Sequence, residues 1–551
     1  MKLIDVGKIV VAPFEFESIQ EIRIEKQLNE HSTLYACGIL RDEKKFAPAT
    51  DKTEGVKIRC ENDGQVYFKG VIQSVKVTCV DAVYRLEVHA ISNTILLDTV
   101  GHKRSFQDSG EDYQTIVKRI IADNGGAVTY NAKAKNVSNI ILQYGETDWE
   151  FAKRLASHTN DVLIPIVDDS PAFHFGAPDT GGAKLESRDY SVSRDFSAIR
   201  WFGSHSSIEK GKGGSSQKMT ADDVTLYCVE TDDYLCDIGE KLNFNGADLY
   251  VCRLSLCFVN SALTVVYTLC PKKAVSRPKI YNRAIIGLVL DGTVSEVEND
   301  TLKLSLSADT GRGVEQDTGN KHFFKYATGY SMEEHTGWYV MPEAGDTVQL
   351  VFPIEDEGYA YAASSVRRNQ TERTLDHMVK YWRTSYGREI KMDKDEILIS
   401  TVDDETYIRI NKDKDPGIEI ITPNRILVTS GSTINIESED DMTIITEKKL
   451  YIEAMDSITM VSGGNFMKFD EVDKGGISVS TDKEFNLVSE DNATIDGRME
   501  IAVKSGKDMK MDSGEQLLAG AEKKIEVACG GSSIMLDSSG VDLKGSMIRE
   551  N

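Results

Sequence analysis

The side chains able to do chemistry are scattered through this chain rather than gathered. Nine histidines lie between His31 and His377 with neither His-x-His nor His-Glu-x-x-His spacing, so the sequence offers no imidazole pair for a hydrolytic zinc. Neighbouring carboxylates such as Glu439, Asp440 and Asp441 could serve as acid and base, but they fall among turn formers, where solvated corners are expected. Gly125-Gly126, Gly181-Gly182 and Gly213-Gly214 read as turn or linker glycines, none opening a phosphate-binding helix. Of nine cysteines, Cys37, Cys60, Cys79, Cys252, Cys257 and Cys270 sit in apolar, strand-like runs. Cys228 with Cys236, and Cys252 with Cys257, are loosely spaced and have no histidine partners, so reduced core thiols are expected rather than zinc or disulfides. No catalytic residue, metal ligand or cofactor is assigned, and the chain is expected not to be an enzyme.

The regular feature is hydrophobic and recurs every eight residues. It runs through Ile418, Ile426, Ile434, Met442, Leu450, Ile458 and Phe466, slips by three, then resumes at Ile477, Phe485, Ala493, Ile501, Met509, Leu517 and Ile525. A second apolar residue follows two positions later in nearly every repeat, as in Ile420, Val428, Ile436 and Ile444. Spacing of two puts side chains on one face of a strand, and spacing of eight adds one turn per strand; a helix cannot carry both. Between the pairs lie corners such as Ser430-Gly431-Ser432-Thr433 and Ser462-Gly463-Gly464-Asn465. The slip predicts a loop over 470–476.

Three such sides close a triangle, either as one chain coiling alone or as three chains wound together. About sixteen repeats would rise roughly 25 Å in the first case and roughly 80 Å in the second. The period itself fits both. A narrow interior filled by two side chains per side, with each backbone laddered to a neighbouring chain, favours the intertwined trimer. The calcium-binding Gly-Gly-x-Gly-x-Asp repeat of many solenoids does not occur.

The 551 residues suffice for several domains, and a net charge of −24 argues against binding nucleic acid through phosphate neutralisation. No apolar leader follows Met1 and no run is long enough to span a bilayer, so a cytoplasmic product is expected. Strands are predicted at 6–11, 19–24, 34–40, 56–60, 66–80 and 83–90, with a hairpin at Asn62-Asp63-Gly64. Ser109 with Asp112, and Thr147 with Glu150, resemble capping boxes ahead of Ile116, Val117, Ile120 and Ile121 and of Phe151, Leu155 and Ala156. The organisation read from these signals is a β-barrel at 1–100, an α/β insertion at 101–205, a linker at 206–220, a second barrel at 221–279, a third β unit at 280–368, a connector at 369–395 and the octad tail at 396–551. In the third unit the alternation is clearest at Leu302, Leu304, Leu306 and at Val348, Leu350, Phe352.

Thr336-Gly337-Trp338-Tyr339-Val340-Met341-Pro342-Glu343-Ala344-Gly345-Asp346-Thr347-Val348, then Phe352-Pro353, resembles the OB-fold of the VgrG and phage baseplate hub-and-spike family. Gln143-Tyr144-Gly145-Glu146-Thr147-Asp148-Trp149-Glu150-Phe151 is similar to the helical insertion of that family's hub, and Ser105-Phe106-Gln107-Asp108 also fits. With the octads, the resemblance covers nearly the whole chain. It implies a mainly β protein: a hub of two β-barrels with an α/β insertion, an OB-fold, and a C-terminal intertwined trimeric triangular β-prism, or β-helix, whose core takes the octad residues. Trp338 and Tyr339 would lie in the OB core.

The implied role is structural: a homotrimeric central spike of a contractile injection system, with a membrane-puncturing needle and no turnover. The implied partners are a hexameric inner-tube protein of the Hcp kind at the hub, a PAAR-like tip protein at the C-terminal end, an optional effector cargo, and the target membrane on firing. The spike would be assembled in the cytoplasm into a particle or baseplate and delivered outward; phage tail, bacteriocin and type VI secretion system fit equally. No lysozyme-sized segment separates the OB-fold from the prism, no catalytic extension follows it, and no histidine lies beyond His377 to hold iron at the tip. The alternative is a monomeric β-solenoid acting as a glycan enzyme or adhesin.

Overall fold

Alternation of apolar and polar residues builds most of the molecule, a computed structural model that describes residues 8–549 except 41–56, 63, 198, 200–219, 260–261, 307–320, 331–336, 368–370, 403–404 and 471–475. The chain forms two compact units, Met1–Asn424 and Arg425–Asn551. The expected linker falls, apart from Thr220, outside the described residues.

The first unit opens with β1 (Ile9–Ala12), β2 (Phe16–Gln27), β3 (Thr33–Leu40), β4 (Lys57–Asn62), β5 (Gln65–Val80) and β6 (Val83–Ser92). The β4–β5 hairpin closes at Asn62 opposite Gln65, and Gly64 supplies the positive φ of 81° that the turn requires. Then come β7 (His102–Phe106), α1 (Tyr113–Ala122), β8 (Ala127–Tyr130), β9 (Ile141–Glu146), α2 (Asp148–Ser157), β10 (Leu163–Pro165) and β11 (Ala172–Phe175).

Helix α1 buries Tyr113, Ile116, Val117, Ile120 and Ile121, the 3.6-residue stripe of an amphipathic helix. Its cap is Asp112, whose carboxylate accepts from Thr115 N at 2.8 Å; Ser109 is not the cap, because the helix starts at Tyr113, four residues beyond it. Helix α2 carries the full capping box, Thr147 Oγ1 accepting from Glu150 N and Glu150 Oε2 from Thr147 N, each at 3.1 Å. Trp149, Phe151, Leu155, Phe106, Phe173 and Phe175 join the α1 stripe in the insertion's core.

Strands β12 (Gly181–Leu185), β13 (Tyr190–Arg194), β14 (Thr225–Thr231), β15 (Lys241–Phe244), β16 (Ala247–Val259) and β17 (Ala262–Cys270) complete the front half. The two segments expected as separate barrels share one twelve-stranded sheet, with main path β1-β4-β5-β6-β3-β2-β16-β17-β14-β13. The join is antiparallel pairing of Glu21–Gln27 on β2 with Arg253–Val259 on β16. One core serves both segments: Ile22, Ile24, Phe68 and Val88 pack with Leu254, Leu256, Val265 and Tyr267.

The third unit is a closed barrel of β18 (Val289–Glu298), β19 (Thr301–Leu306), β20 (Phe323–Ala327), β21 (Thr347–Val351) and β22 (Tyr361–Ser365), the five-strand form an OB-fold takes. Leu302, Leu304, Leu306, Val348, Leu350 and Phe352 are all buried there, as their alternation demands. Ile140 and Leu142 of the insertion enter the same core. Five antiparallel strands follow: β23 (Lys380–Arg383), β24 (Glu389–Met392), β25 (Glu396–Ser400), β26 (Tyr407–Asn411) and β27 (Ile418–Ile421).

The second unit contains two three-stranded antiparallel sheets: β28 (Ser457–Ser462), β29 (Asn465–Asp470) and β30 (Gly476–Ser480), then β31 (Lys524–Cys529), β32 (Ser532–Asp537) and β33 (Gly540–Lys544). Among the described residues no helix is long and apolar enough to cross a membrane.

Candidate assembly surface

The β23–β27 sheet separates its two faces by character, with Lys380, opposite Met392, the charged exception on the apolar side. Trp382, Ile390, Ile399, Ile408 and Ile420 stand opposite one another strand by strand, and Met392, Ile397, Ile410 and Ile418 form a second row beside them. Period-two alternation puts both rows on one face, and every one of these side chains is exposed. The other face carries a ladder of charge, with Tyr381, Leu398, Tyr407 and Ile421 among it. Arg409 meets Glu396 at 3.0 Å and Glu419 at 2.9 Å; Lys391 meets Asp393 at 2.8 Å and Glu396 at 3.2 Å; Arg383 meets Glu389 at 3.3 Å. The hydrogen bond from Lys391, with backbone N–H groups of Asp395 and Glu396, holds the Asp393 carboxyl down at about 2. One side is thus satisfied within the chain while nine apolar side chains face outward, far more than a lone exposed leucine that would call for no explanation. Apart from Ile418 and Ile420, this strip escaped the octad count because its apolar pairs recur at irregular intervals, 390/392, 397/399, 408/410 and 418/420.

In the second unit the octads take a definite local form. Two-residue bends fall at 431–432, 439–440, 447–448 and 455–456, then at 482–483, 490–491, 498–499, 506–507, 514–515 and 522–523. Seven of these ten bends are stapled by a Ser or Thr hydroxyl; the other three, at 455–456, 498–499 and 522–523, have Ala454, Gly497 and Ala521 in its place. Ser489, Ser505 and Ser513 donate their hydroxyls to the carbonyls of Asn492, Asp508 and Gln516 at 3.2, 2.7 and 2.8 Å, while Ser430, Thr446, Thr481 and Ser505 accept from backbone N–H two residues on. These are the side-chain turns Ser and Thr make in place of a backbone turn. A hydroxyl at the same octad position was a second periodic signal that the apolar count passed over.

Between bends, 425–456 and 481–523 form no strand ladder with another part of their own chain among the described residues, and Asp482 N donates to Asn465 Oδ1 at 3.0 Å at the edge of the first small sheet. Ile426, Ile434, Met442, Leu450, Phe485, Ile501, Met509 and Leu517 are exposed, as are Val428, Ile436, Ile444, Leu487, Ile495, Val503 and Met511. Ile434 keeps 51% of its surface in water. The expected interior residues are therefore aligned by period and gathered by nothing within one chain.

The two three-stranded sheets depart from the octad expectation. Gly463-Gly464 and Gly530-Gly531 make two-residue hairpins rather than corners, with Gly463 and Gly530 at φ 58° and 57°, as tight hairpin turns require. In the first sheet Ile458, Phe469 and Ile477 share a row, with Met460, Met467 and Val479 beside it. Phe466, expected on the face of Ile458, stands opposite Val461 and Ser480 on the other face, because the hairpin reverses the chain before the eighth residue. In the second sheet Ile525, Leu536 and Val541 form one row and Val527, Ile534 and Leu543 the next. Ile418 likewise belongs to β27 and the first unit. The expected loop at 470–476 falls largely outside the described residues.

Among the described residues no arrangement of catalytic groups competes with this surface. His31 lies between Thr94 Oγ1 at 2.7 Å and Asp98 Oδ2 at 3.1 Å, superficially a relay, but Thr94 is buried and its oxygen also meets Ser92 Oγ at 2.8 Å. Asp98 in turn accepts from Thr147, so the network pins the start of α2. Arg154, 1% exposed, bridges Glu146 of the insertion at 2.7 Å and Glu357 of the barrel segment at 2.9 Å. Burial opposes its charge, and Glu357 with Glu146 overcomes that opposition, raising its pKa. Asn282 Nδ2 donating to Tyr144 O at 2.9 Å, and Gln107 Nε2 donating to Leu304 O at 3.2 Å, fasten the same junction. Among the described residues no group of three or more His, Cys, Asp or Glu is placed to hold a metal. Trp338 and Tyr339, expected in the barrel core, are 62% and 69% exposed: Phe324 and Phe352 already fill that core, and Tyr339 donates its hydroxyl to Asn299 O at 2.6 Å.

Residues 38–160 match the family model described as phage tail baseplate hub (GPD). No curated protein matches the chain. Among solved structures, an E. coli protein described as a component of the type VI secretion system, with structural similarity to T4 bacteriophage tail proteins gp27 and gp5, is 14% identical, covers 65% of this chain and 100% of its own, and gives a TM-score of 0.46. The 43 kDa tail protein of prophage MuSo2 from Shewanella oneidensis is 12% identical over 49% of this chain and 98% of its own, TM-score 0.39. A Francisella PdpA-VgrG complex, half-lidded, is 8% identical over 75% of this chain and 87% of its own, TM-score 0.47. The resemblance to the baseplate hub family stated from the motifs is borne out over 38–160, which takes in the two hub motifs at 105–108 and 143–151.

Proposed function

We propose that this chain, which carries a phage tail baseplate hub domain at 38–160, is the trimeric central hub and spike of a contractile injection system. One observation carries the reading: residues 425–456 and 481–523 repeat a paired apolar face every eight residues, leave it in water, and make no ladder within their own chain. A single-chain coil would lay each side on the side three octads later, and no such pairing occurs in these segments. Two further copies supply what is missing, a ladder partner for each backbone and a cover for each apolar pair.

In this reading Ile426, Ile434, Met442, Leu450, Ile458, Ile477, Phe485, Ile501, Met509, Leu517 and Ile525 meet their counterparts around a shared axis. The exposed rows of β23–β27 close in the same way. The hub meets a hexameric tube, a separate tip protein covers the C-terminal strand edges, and a cargo effector rides as an optional extra. The work is mechanical and without turnover: the spike is assembled in the cytoplasm, driven outward by contraction and pushed through the target membrane.

The test is mass in solution. Sedimentation equilibrium of the purified chain is expected to give three times the 61.1 kDa of one copy. A mass of one chain at micromolar concentration would overturn the assignment.

A further inference from the structure

The octad runs have a weakness that the two small sheets answer. Residues 425–456 and 481–523 bend at the same interval throughout, and their seams are filled mostly by interchangeable Ile, Leu, Met and Val, with Phe485, Ala493 and Ala519 the exceptions. If three chains are plaited there, one chain can advance by eight residues and every remaining apolar pair still faces an apolar pair, with Phe485 against Ala493 the poorest match. Register is fixed strongly only where a slip changes what faces what, and a slip of one whole repeat changes little. The sheets Ser457–Ser480 and Lys524–Lys544 do not share this degeneracy. Each folds on ladders within one chain, closes at a Gly-Gly hairpin, and occurs at one place in its run. Their rows, Ile458-Phe469-Ile477 and Ile525-Leu536-Val541, carry the two-residue-wide apolar strip of the octads. Each sheet can therefore stack on its two counterparts only when all three chains stand level.

We propose that these two in-chain sheets are register clamps: they set the stagger of the three chains and stop an octad slip from passing along the spike. The inference rests on the trimer reading, which the mass measurement tests separately. The first sheet sits between the two octad runs, and the second follows the last bend at 522–523, so each is placed to reset register where a run ends.

The experiment uses the full chain. In one variant, residues 457–480 are replaced by the 21 residues of 425–445, removing the clamp and the three-residue slip so that the eight-residue period runs on unbroken. A second variant, Gly463→Val, places a β-branched residue at φ 58° and spoils only the hairpin. A control, Gly506→Ala, alters an octad bend where an added Cβ meets nothing within 4 Å. Trimers mixed from light and 15N-labelled chains are cross-linked through Lys504, Lys507, Lys510, Lys523 and Lys524, and inter-chain pairs are read by mass spectrometry. The wild type and Gly506→Ala are expected to give one set of pairs, and the octad replacement further sets displaced by eight residues. Gly463→Val is expected to show the displaced sets in part. A trimeric replacement variant that keeps the single set would overturn the clamp role and leave the trimer standing, whereas a wild type of one-chain mass would remove both.

Discussion

Ile434→Asp tests the inward assignment most directly, with Ile445→Asp as its internal control. Ile434 heads an apolar pair and is 51% exposed in a single chain, whereas Ile445, between an apolar pair and the next bend, is 86% exposed and of opposite parity. Covering the exposed half of Ile434 is worth about 1 kcal/mol per chain, half of a full isoleucine burial. A carboxylate in that place must also be neutralised or desolvated; a rise of about three pKa units, ordinary for a buried Asp, costs roughly 4 kcal/mol at neutral pH. The sum, about 5 kcal/mol per chain and about 15 per trimer, equals the entire stability of many domains. Ile445→Asp should stay within about 0.5 kcal/mol of wild type. The assay is thermal unfolding of the full chain by circular dichroism, paired with sedimentation. Because the pKa of the carboxyl introduced by Ile434→Asp would lie above its unfolded value, the deficit should shrink as pH falls from 8 to 4. Equal melting of the two variants, or a deficit indifferent to pH, would refute the placement of the octad face.

Three other outcomes are expected. Arg154→Met leaves Glu146 and Glu357 without their shared cation and should cost about 3–5 kcal/mol, read as the urea midpoint by tryptophan fluorescence; a shift below about 1 kcal/mol would count against a coupled junction. Burial lowers the pKa of His158, and also of His31, His174 and His322, below the ordinary 6.5. The unfolded chain then binds protons that the native one refuses, so stability is full above pH 6.5 and declines as pH falls below it; a flat midpoint from pH 7 to 5 would contradict this. Thr147→Ala removes the α2 capping box and the donation to Asp98, and should lower the midpoint by about 1–2 kcal/mol, with Thr147→Ser restoring most of it.

How far the sequence could be read depended on where each residue finds its partner. The barrel positions Leu302, Leu304, Leu306, Val348, Leu350 and Phe352 and the α2 cap were legible because period and capping are local, and a local pattern with a buried face has one answer. The α1 cap was misplaced by three residues because Ser109 and Asp112 offer competing oxygens, and only packing of Tyr113 selects the second. The sharing of one sheet by the front segments was invisible, since pairing of β2 with β16 joins residues more than two hundred positions apart. Phe466 was misassigned for a different reason: Gly463-Gly464 suits a corner and a hairpin alike, and alternation counted across a hairpin changes face. Trp338 and Tyr339 looked like core by type, yet shape decided, with two phenylalanines already occupying the barrel.

The two units differ in what completes them, and that difference constrains how the proposed trimer can be made. The first unit has contiguous cores, laddered strands and a buried ionic junction within one chain. In the octad runs backbone donors and acceptors find no ladder in the chain and the apolar pairs stay wet, so in the proposed trimer these runs would not order cooperatively until their counterparts arrive. Ordering there is then concentration-dependent in a way that folding of the first unit is not. Unpaired strand-forming segments with an apolar face are also templates for unwanted pairing. A hub that associates first would hold three tails at high effective concentration, turning a slow three-body encounter into an intramolecular one and shortening the time in which the octads stand exposed.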